Sequence, residues 1–297
     1  MRFSVGVVAC ALLLASARAH ADSTEDLLGP REIAVGEAMR ADATGAAAIG
    51  LNPSSEALTR DVVFDGTYGY RTSDSASLVG VSACDSTNAI PGCFFYHYAG
   101  TSPGDTLSTA THIAGITTSY TVLPRFILGA VGKYYHFSTN VPGQTGDSGF
   151  AFDFGATLRL TQAINVGVSG QNLIATTRSE IEMPRTLGGG ISAKPIPILT
   201  LSFDMRWLLE TDNKTMRYGG GAELNIGGGT ANNYPIRAGI LRDNGLDTTY
   251  LSGGLGYGAA TWGLDVTYRR SIDGPTDNLV IGSIRLYGPR QPVAPLQ

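Results

Sequence analysis

From about residue 61 onward the chain alternates between apolar and polar positions with period two. Residues 199–207 read LTLSFDMRW: Leu199, Leu201, Phe203, Met205 and Trp207 share one parity, and Thr200, Ser202, Asp204 and Arg206 take the other. FAFDFGATLRL (150–160) sets Phe150, Phe152, Phe154, Leu158 and Leu160 against Asp153, Thr157 and Arg159. TWGLDVTYRR (261–270) sets Trp262, Leu264, Val266 and Tyr268 against Gly263, Asp265, Thr267 and Arg269. Successive side chains of a strand point to opposite faces, so each run predicts a strand with one apolar and one polar face. About fourteen such runs occur, the first near 62–71 and the last near 278–288, with twelve as the alternative count. An even number suits a single-chain transmembrane barrel.

The connections alternate in kind. VLPR (122–125), TQA (161–163), PIPI (195–198) and AAT (259–261) are tight, and between them lie longer polar stretches such as STNVPGQTGDSG (138–149) and LETDNKTM (209–216). Short turns on one rim and long loops on the other are the pattern of an outer-membrane barrel. Residues 22–58 differ: they are Ala-rich and lack period-two alternation, and Asn52 or Ser54 in NPSSE is placed to cap a short helix. This segment is expected to pack against or inside the barrel as a partly helical plug.

Alternation alone does not say which face meets water. At the N-terminus, Arg2 precedes an apolar run (5–15) that is too short to span a bilayer, and Ala19-His20-Ala21 follows. This predicts a secretory signal peptide over 1–21 cleaved after Ala21, with a lipoprotein signal on Cys10 as the weaker reading. Only 15% of residues are charged and 39 of 297 are glycine, which suits a sheet with little water-facing exterior. The apolar face is therefore assigned to lipid. The charges of the polar parity become lumen-lining candidates: Lys133, Asp153, Arg159, Asp204, Arg206, Glu223, Arg237, Asp265 and Arg269. Their plainest role is pairing across the wall; the alternative is a ring that selects substrate. Without Arg2 and Arg18, 19 basic face 25 acidic residues, a net charge of −6 that argues against nucleic acid. Cys84 and Cys93 are expected to form a disulfide that tethers one turn.

Two fragments imitate serine-hydrolase chemistry, GDSG (146–149) with Ser148 and TATH (109–112) with His112. A Ser–His pair also needs an orienting acid and an oxyanion hole, and Gly-Asp-Ser-Gly is ordinary turn chemistry. His97, His112 and His136 are read as residues near strand ends. His136 and Ser138 share a face, the basis of a minor surface-enzyme reading, but no catalytic residue, metal site or cofactor is expected.

The segment AxATGAAAIGLNPSSEAL (41–58), with Asn52 and Pro53, resembles the stretch that precedes the first strand in the FadL/PorV superfamily of bacterial outer-membrane barrels. GQNL (170–173) followed by MPRTLGGG (183–190), and the strands from Gly219 to Tyr268, are similar to further passages of that superfamily. The resemblance implies a fourteen-stranded barrel with an N-terminal hatch. It departs at the C-terminus, LYGPRQPVAPLQ, where Tyr287 is expected to take the place of a terminal aromatic. The expected organisation is signal 1–21, hatch 22–58, barrel 59–290 and tail 291–297. The expected role is passive passage of small or hydrophobic solutes gated by the hatch, with lipid and a hydrophobic solute as partners. The alternative is a non-conducting barrel that anchors a secretion, adhesion or motility complex through a periplasmic or surface protein partner.

Overall fold

The alternating runs form fourteen antiparallel strands in the computed structural model, which describes residues 27–102, 107–176, 183–209, 215–227 and 232–291. They are β1 (Asp61–Arg71), β2 (Ala76–Asp85), β3 (Gly92–Thr101), β4 (Thr109–Leu123), β5 (Phe126–Thr139), β6 (Asp147–Arg159) and β7 (Ile164–Ala175). The second half comprises β8 (Thr186–Ile196), β9 (Leu199–Leu208), β10 (Met216–Ile226), β11 (Tyr234–Asp243), β12 (Thr248–Gly258), β13 (Trp262–Ser271) and β14 (Asn278–Arg290). Each strand pairs with its sequence neighbours, and β1 closes on β14 with Phe64 opposite Leu286 and Tyr70 opposite Val280. Closure removes both sheet edges, the condition for a sheet to stand in a bilayer. The signal peptide, residues 22–26 and the tail beyond 291 lie outside the described residues.

The parity expected from the sequence holds around the wall. Phe64, Tyr68, Ile116, Phe154, Phe203, Val266 and Ile284 are exposed outward, while Asp204, Glu223, Arg237, Asp265 and Arg269 are buried inside. An apolar band that encircles the molecule is untenable against water and matches the hydrocarbon of a membrane.

The connections follow odd and even strands less strictly than expected. After even strands the turns are tight at 124–125, 160–163, 197–198 and 259–261, but 86–91 and 227–233 are longer; among the odd-strand connections, 72–75 is short. The 86–91 connection is closed by the Cys84–Cys93 disulfide, whose two residues stand opposite each other in the β2–β3 ladder, both buried. Replacing both cysteines by serine is expected to lower stability by about 2–3 kcal/mol on the chain-entropy scale, read as a shifted urea midpoint of the refolded barrel. Tyr287, expected to take the place of a terminal aromatic, is on the inward parity next to the outward Leu286. It lies against Gly263 and beneath the Arg285 guanidinium, 5.9 Å from its centroid, in a cavity on the inner side. It pairs with Val63 in regular register, and the register shift between Asp61 and Val63 lies beyond it.

Candidate functional site

The lumen is occupied by the segment that precedes β1. Pro30 opens a one-turn helix, Pro30–Ala34; a second, Ala46–Gly50, follows, and a 3-10 helix spans Pro53–Leu58. Pro at a first helical position loses no hydrogen bond the helix could have made. Ile33, Ala34, Val35, Ala38, Met39, Ala43 and Leu51 are buried here, although the segment makes no sheet. Its small residues bring its backbone onto the wall, and the wall answers with glycine on the inward parity. A Cβ added to Gly239 would stand 2.7 Å from Val35 Cα, and one added to Gly129 would stand 2.6 Å from Ser54 Cα. Real Cβ atoms do not approach so closely, so glycine there is a seating requirement.

Asn52 is the expected cap and does more than cap. Its side-chain carbonyl accepts from Ser54 N at 3.2 Å and Ser54 Oγ at 2.7 Å. Its amide donates to Arg40 O at 2.8 Å and to Thr157 Oγ1 on β6 at 3.1 Å. Asn52 thus ties the 3-10 helix to the wall and to the rest of the hatch. Wall hydroxyls hold hatch carbonyls elsewhere: Thr267 donates to Pro30 O at 2.6 Å and Ser252 to Ala34 O at 3.2 Å.

Eight of the nine lumen candidates enter ion pairs. Lys133 meets Asp153 at 2.6 Å, and Arg237 joins Glu223 (2.6 Å) to Asp265. Arg206 stands 3.8 Å and Arg269 3.4 Å from Glu37; Arg269 also meets Asp277 at 3.3 Å and lies over the Tyr250 ring. Asp204 accepts from the Arg40 backbone N–H at 2.9 Å, with the Arg40 guanidinium 3.7 Å away. Arg159 stays apart, half-buried at the tight-turn rim. The partners missed from the sequence are on the hatch: Arg31 to Glu223 (2.8 Å), Glu37, Arg40, and Asp42 to Lys194 (3.0 Å). Their signal was four charges in an Ala-rich stretch predicted to be enclosed, where an unpaired charge is untenable. Five ion pairs therefore join plug to wall, in addition to the wall-to-wall pairing expected.

The QN…P passage also has a physical reading. Asn172 adopts a left-handed conformation (φ 55°), which Asn tolerates, at an irregularity in the β6–β7 pairing. Its N–H donates to Asp153 at 2.6 Å and its side chain to Pro184 O at 2.9 Å. The neighbouring Gln171 side chain donates to the hatch carbonyl of Gly50 and accepts from Thr186.

Glu56, in the 3-10 helix, accepts from Gly45 N at 2.7 Å. Burial pushes its carboxyl up to about 7, with Asp61 and Asp85 adding in the same sense. The folded chain then binds a proton that the unfolded chain releases near pH 4.5. This contribution to stability is full below that pH and is lost as the pH rises through about 7. Stability of the wild type should fall between pH 5 and 8 more steeply than that of Glu56→Gln, in matched urea titrations.

Beside the hatch, on the long-loop side, a cavity of about 80 Å³ is lined by Leu27, Leu28, Phe95, Ile113, Lys133 and Met183, among others. Leu27, Leu28 and His97 also line a smaller one, about 20 Å³, against Gly80 and the β1–β2 wall. His97 thus lies in mid-strand on the inner parity, not near a strand end as expected. A third inner space, about 160 Å³ and polar, lies between the Gly29–Glu32 stretch of the hatch and Asp265, Arg285 and Tyr287 of the wall.

This fold has solved counterparts. The CymD monoaromatic hydrocarbon channel superposes with a TM-score of 0.68 at 13% identity, over 88% of this chain and 97% of that one. The fold is that of the FadL-like channels. The Ralstonia pickettii toluene transporter TbuX (TM-score 0.66, 15% identity, 89% and 98% covered) and a Pseudomonas aeruginosa FadL homologue (0.57, 12%, 88% and 98%) share it. No protein-family model and no curated protein sequence matches the chain.

Proposed function

We propose that this FadL-like barrel stands in the bacterial outer membrane and passes small hydrophobic solutes passively, with the hatch as the gate. The observation that carries the proposal is the pair of cavities sharing Leu27, Leu28 and His97. We infer that, when the hatch shifts, a solute with an apolar body passes between these two small spaces, from the long-loop side past the hatch to the wall. Transport of monoaromatic hydrocarbons and of toluene by proteins of the same fold supports this choice of solute class. The signal over 1–21 would deliver the chain, and the lumen charges would hold the hatch shut instead of selecting solute.

The test is uptake of radiolabelled toluene by cells that express the chain, compared with cells carrying an empty vector and with uptake of a hydrophilic sugar. Faster toluene entry with unchanged sugar entry supports the proposal. One observation favours the anchoring role: four hatch charges, Arg31, Glu37, Arg40 and Asp42, are matched by wall charges, as a permanently closed plug would require. Unchanged uptake of both solutes would favour that role.

A further inference from the structure

One polar row breaks the apolar outer face. Tyr98 on β3, His112 on β4, His136 on β5 and Ser148 on β6 stand directly opposite one another across four consecutive strands. Their inward neighbours Ile113, Tyr135 and Phe137 are buried, so the row belongs to the outer parity, close to the long-loop rim. Each imidazole is oriented by a hydroxyl on its Nδ1: His112 by Tyr96 Oη at 2.7 Å, and His136 by Ser148 Oγ at 2.7 Å. The two rings are neighbours, with centroids 6.2 Å apart and planes inclined by 34°. Ser148 therefore pairs with His136, not with the His112 of the hydrolase-like fragments, and His136 reaches across strands instead of along its own to Ser138.

We propose that His112 and His136 form a two-imidazole site for a divalent transition-metal ion on the outer wall of the barrel. A metal-binding histidine ordinarily donates its second ring N–H to an acceptor, which sets the tautomer and leaves the other nitrogen as ligand. The site uses the tautomers in which Nδ1–H donates to Tyr96 Oη and Ser148 Oγ, which leave each Nε2 lone pair to the metal. A metal–nitrogen bond of about 2.0–2.1 Å puts each ring centroid about 3.2 Å from the ion, so two rings sharing one ion span at most about 6.4 Å. The observed separation lies within that span, and an approach about 1 Å closer reaches the tetrahedral angle. Water fills the remaining positions, and imidazole suits copper, zinc and nickel. The site is independent of the lumen and of the transport reading.

The test uses refolded residues 22–297 without an affinity tag, in which the histidines are His97, His112 and His136, titrated with Cu2+ alone. Electron paramagnetic resonance should show one saturable equivalent with coupling to two imidazole nitrogens. His112→Gln and His136→Gln should each lose that two-nitrogen signal while keeping heat-modifiable barrel mobility on gels, and His97→Gln should retain it. Absence of a saturable equivalent in the wild type, its survival in either outer-face variant, or its loss in His97→Gln would overturn the proposal.

Discussion

Replacing Arg40 by methionine is expected to cost about 3–5 kcal/mol, the range for removing one partner of a buried ion pair. Arg40 is among the largest fully buried side chains of the hatch. Its guanidinium donates to Leu51 O at 2.7 Å and to Ser169 Oγ on β7, while its backbone N–H and its charge both serve Asp204 on β9. One side chain thus ties two strands to two parts of the hatch. Methionine retains the apolar stem and its volume, so the loss is electrostatic and falls on Asp204, which keeps only the backbone N–H of residue 40 and its proximity to Arg206. Urea unfolding followed by tryptophan fluorescence checks the magnitude. The double variant Arg40→Met with Asp204→Leu should recover much of it, because removing both charges removes the stranded one.

Phe203→Arg carries the other large expected effect, about 2–4 kcal/mol for a cation on the lipid face near the bilayer midplane. Phe203 lies halfway along β9 and is exposed outward. Its neighbour three residues earlier, Thr200, points inward and stands opposite Glu223. Thr200→Arg gains an acid within the lumen and should cost well under that amount. Trp207 has the same parity as Phe203 but sits one residue from the strand end, where the penalty for a charge fades. Folding into lipid vesicles at graded urea concentrations compares the variants. Equal costs at both parities would contradict the membrane assignment.

The barrel was legible because period-two patterning states its result twice, once in the aromatics of one face and once in the charges of the other. LTLSFDMRW separates the two faces of β9, and the low charge content and export signal of the whole chain then assign the apolar one to lipid. The hatch was legible as a region but not as a structure. Its conformation is set by partners up to 237 residues away, such as Thr267 for Pro30 and Glu223 for Arg31. No local period encodes such contacts. The inward glycines Gly129 and Gly239 are the sequence trace of that docking, but a glycine in a strand does not say what approaches it. Asn52 could be named in advance as a cap because capping is local; its bond to Thr157 could not. The histidine row was hidden for a related reason. His112, His136 and Ser148 become neighbours only once the β4–β5–β6 register is known. Tyr287 falls on the inward parity by plain alternation, since Val280, Ile284 and Leu286 face outward while Leu279 and Ile281 are buried; a terminal aromatic's position cannot be assigned from residue type without that count.

The central claim is that the hatch closes the barrel. The most direct measurement is single-channel conductance in planar bilayers of refolded residues 22–297 and of the same barrel lacking residues 22–58, each verified by heat-modifiable gel mobility. The intact chain should show only brief, small conductance events, and the hatch-deleted barrel a large, steady one. A large steady conductance in the intact chain, or none in a folded barrel without its hatch, would contradict the account.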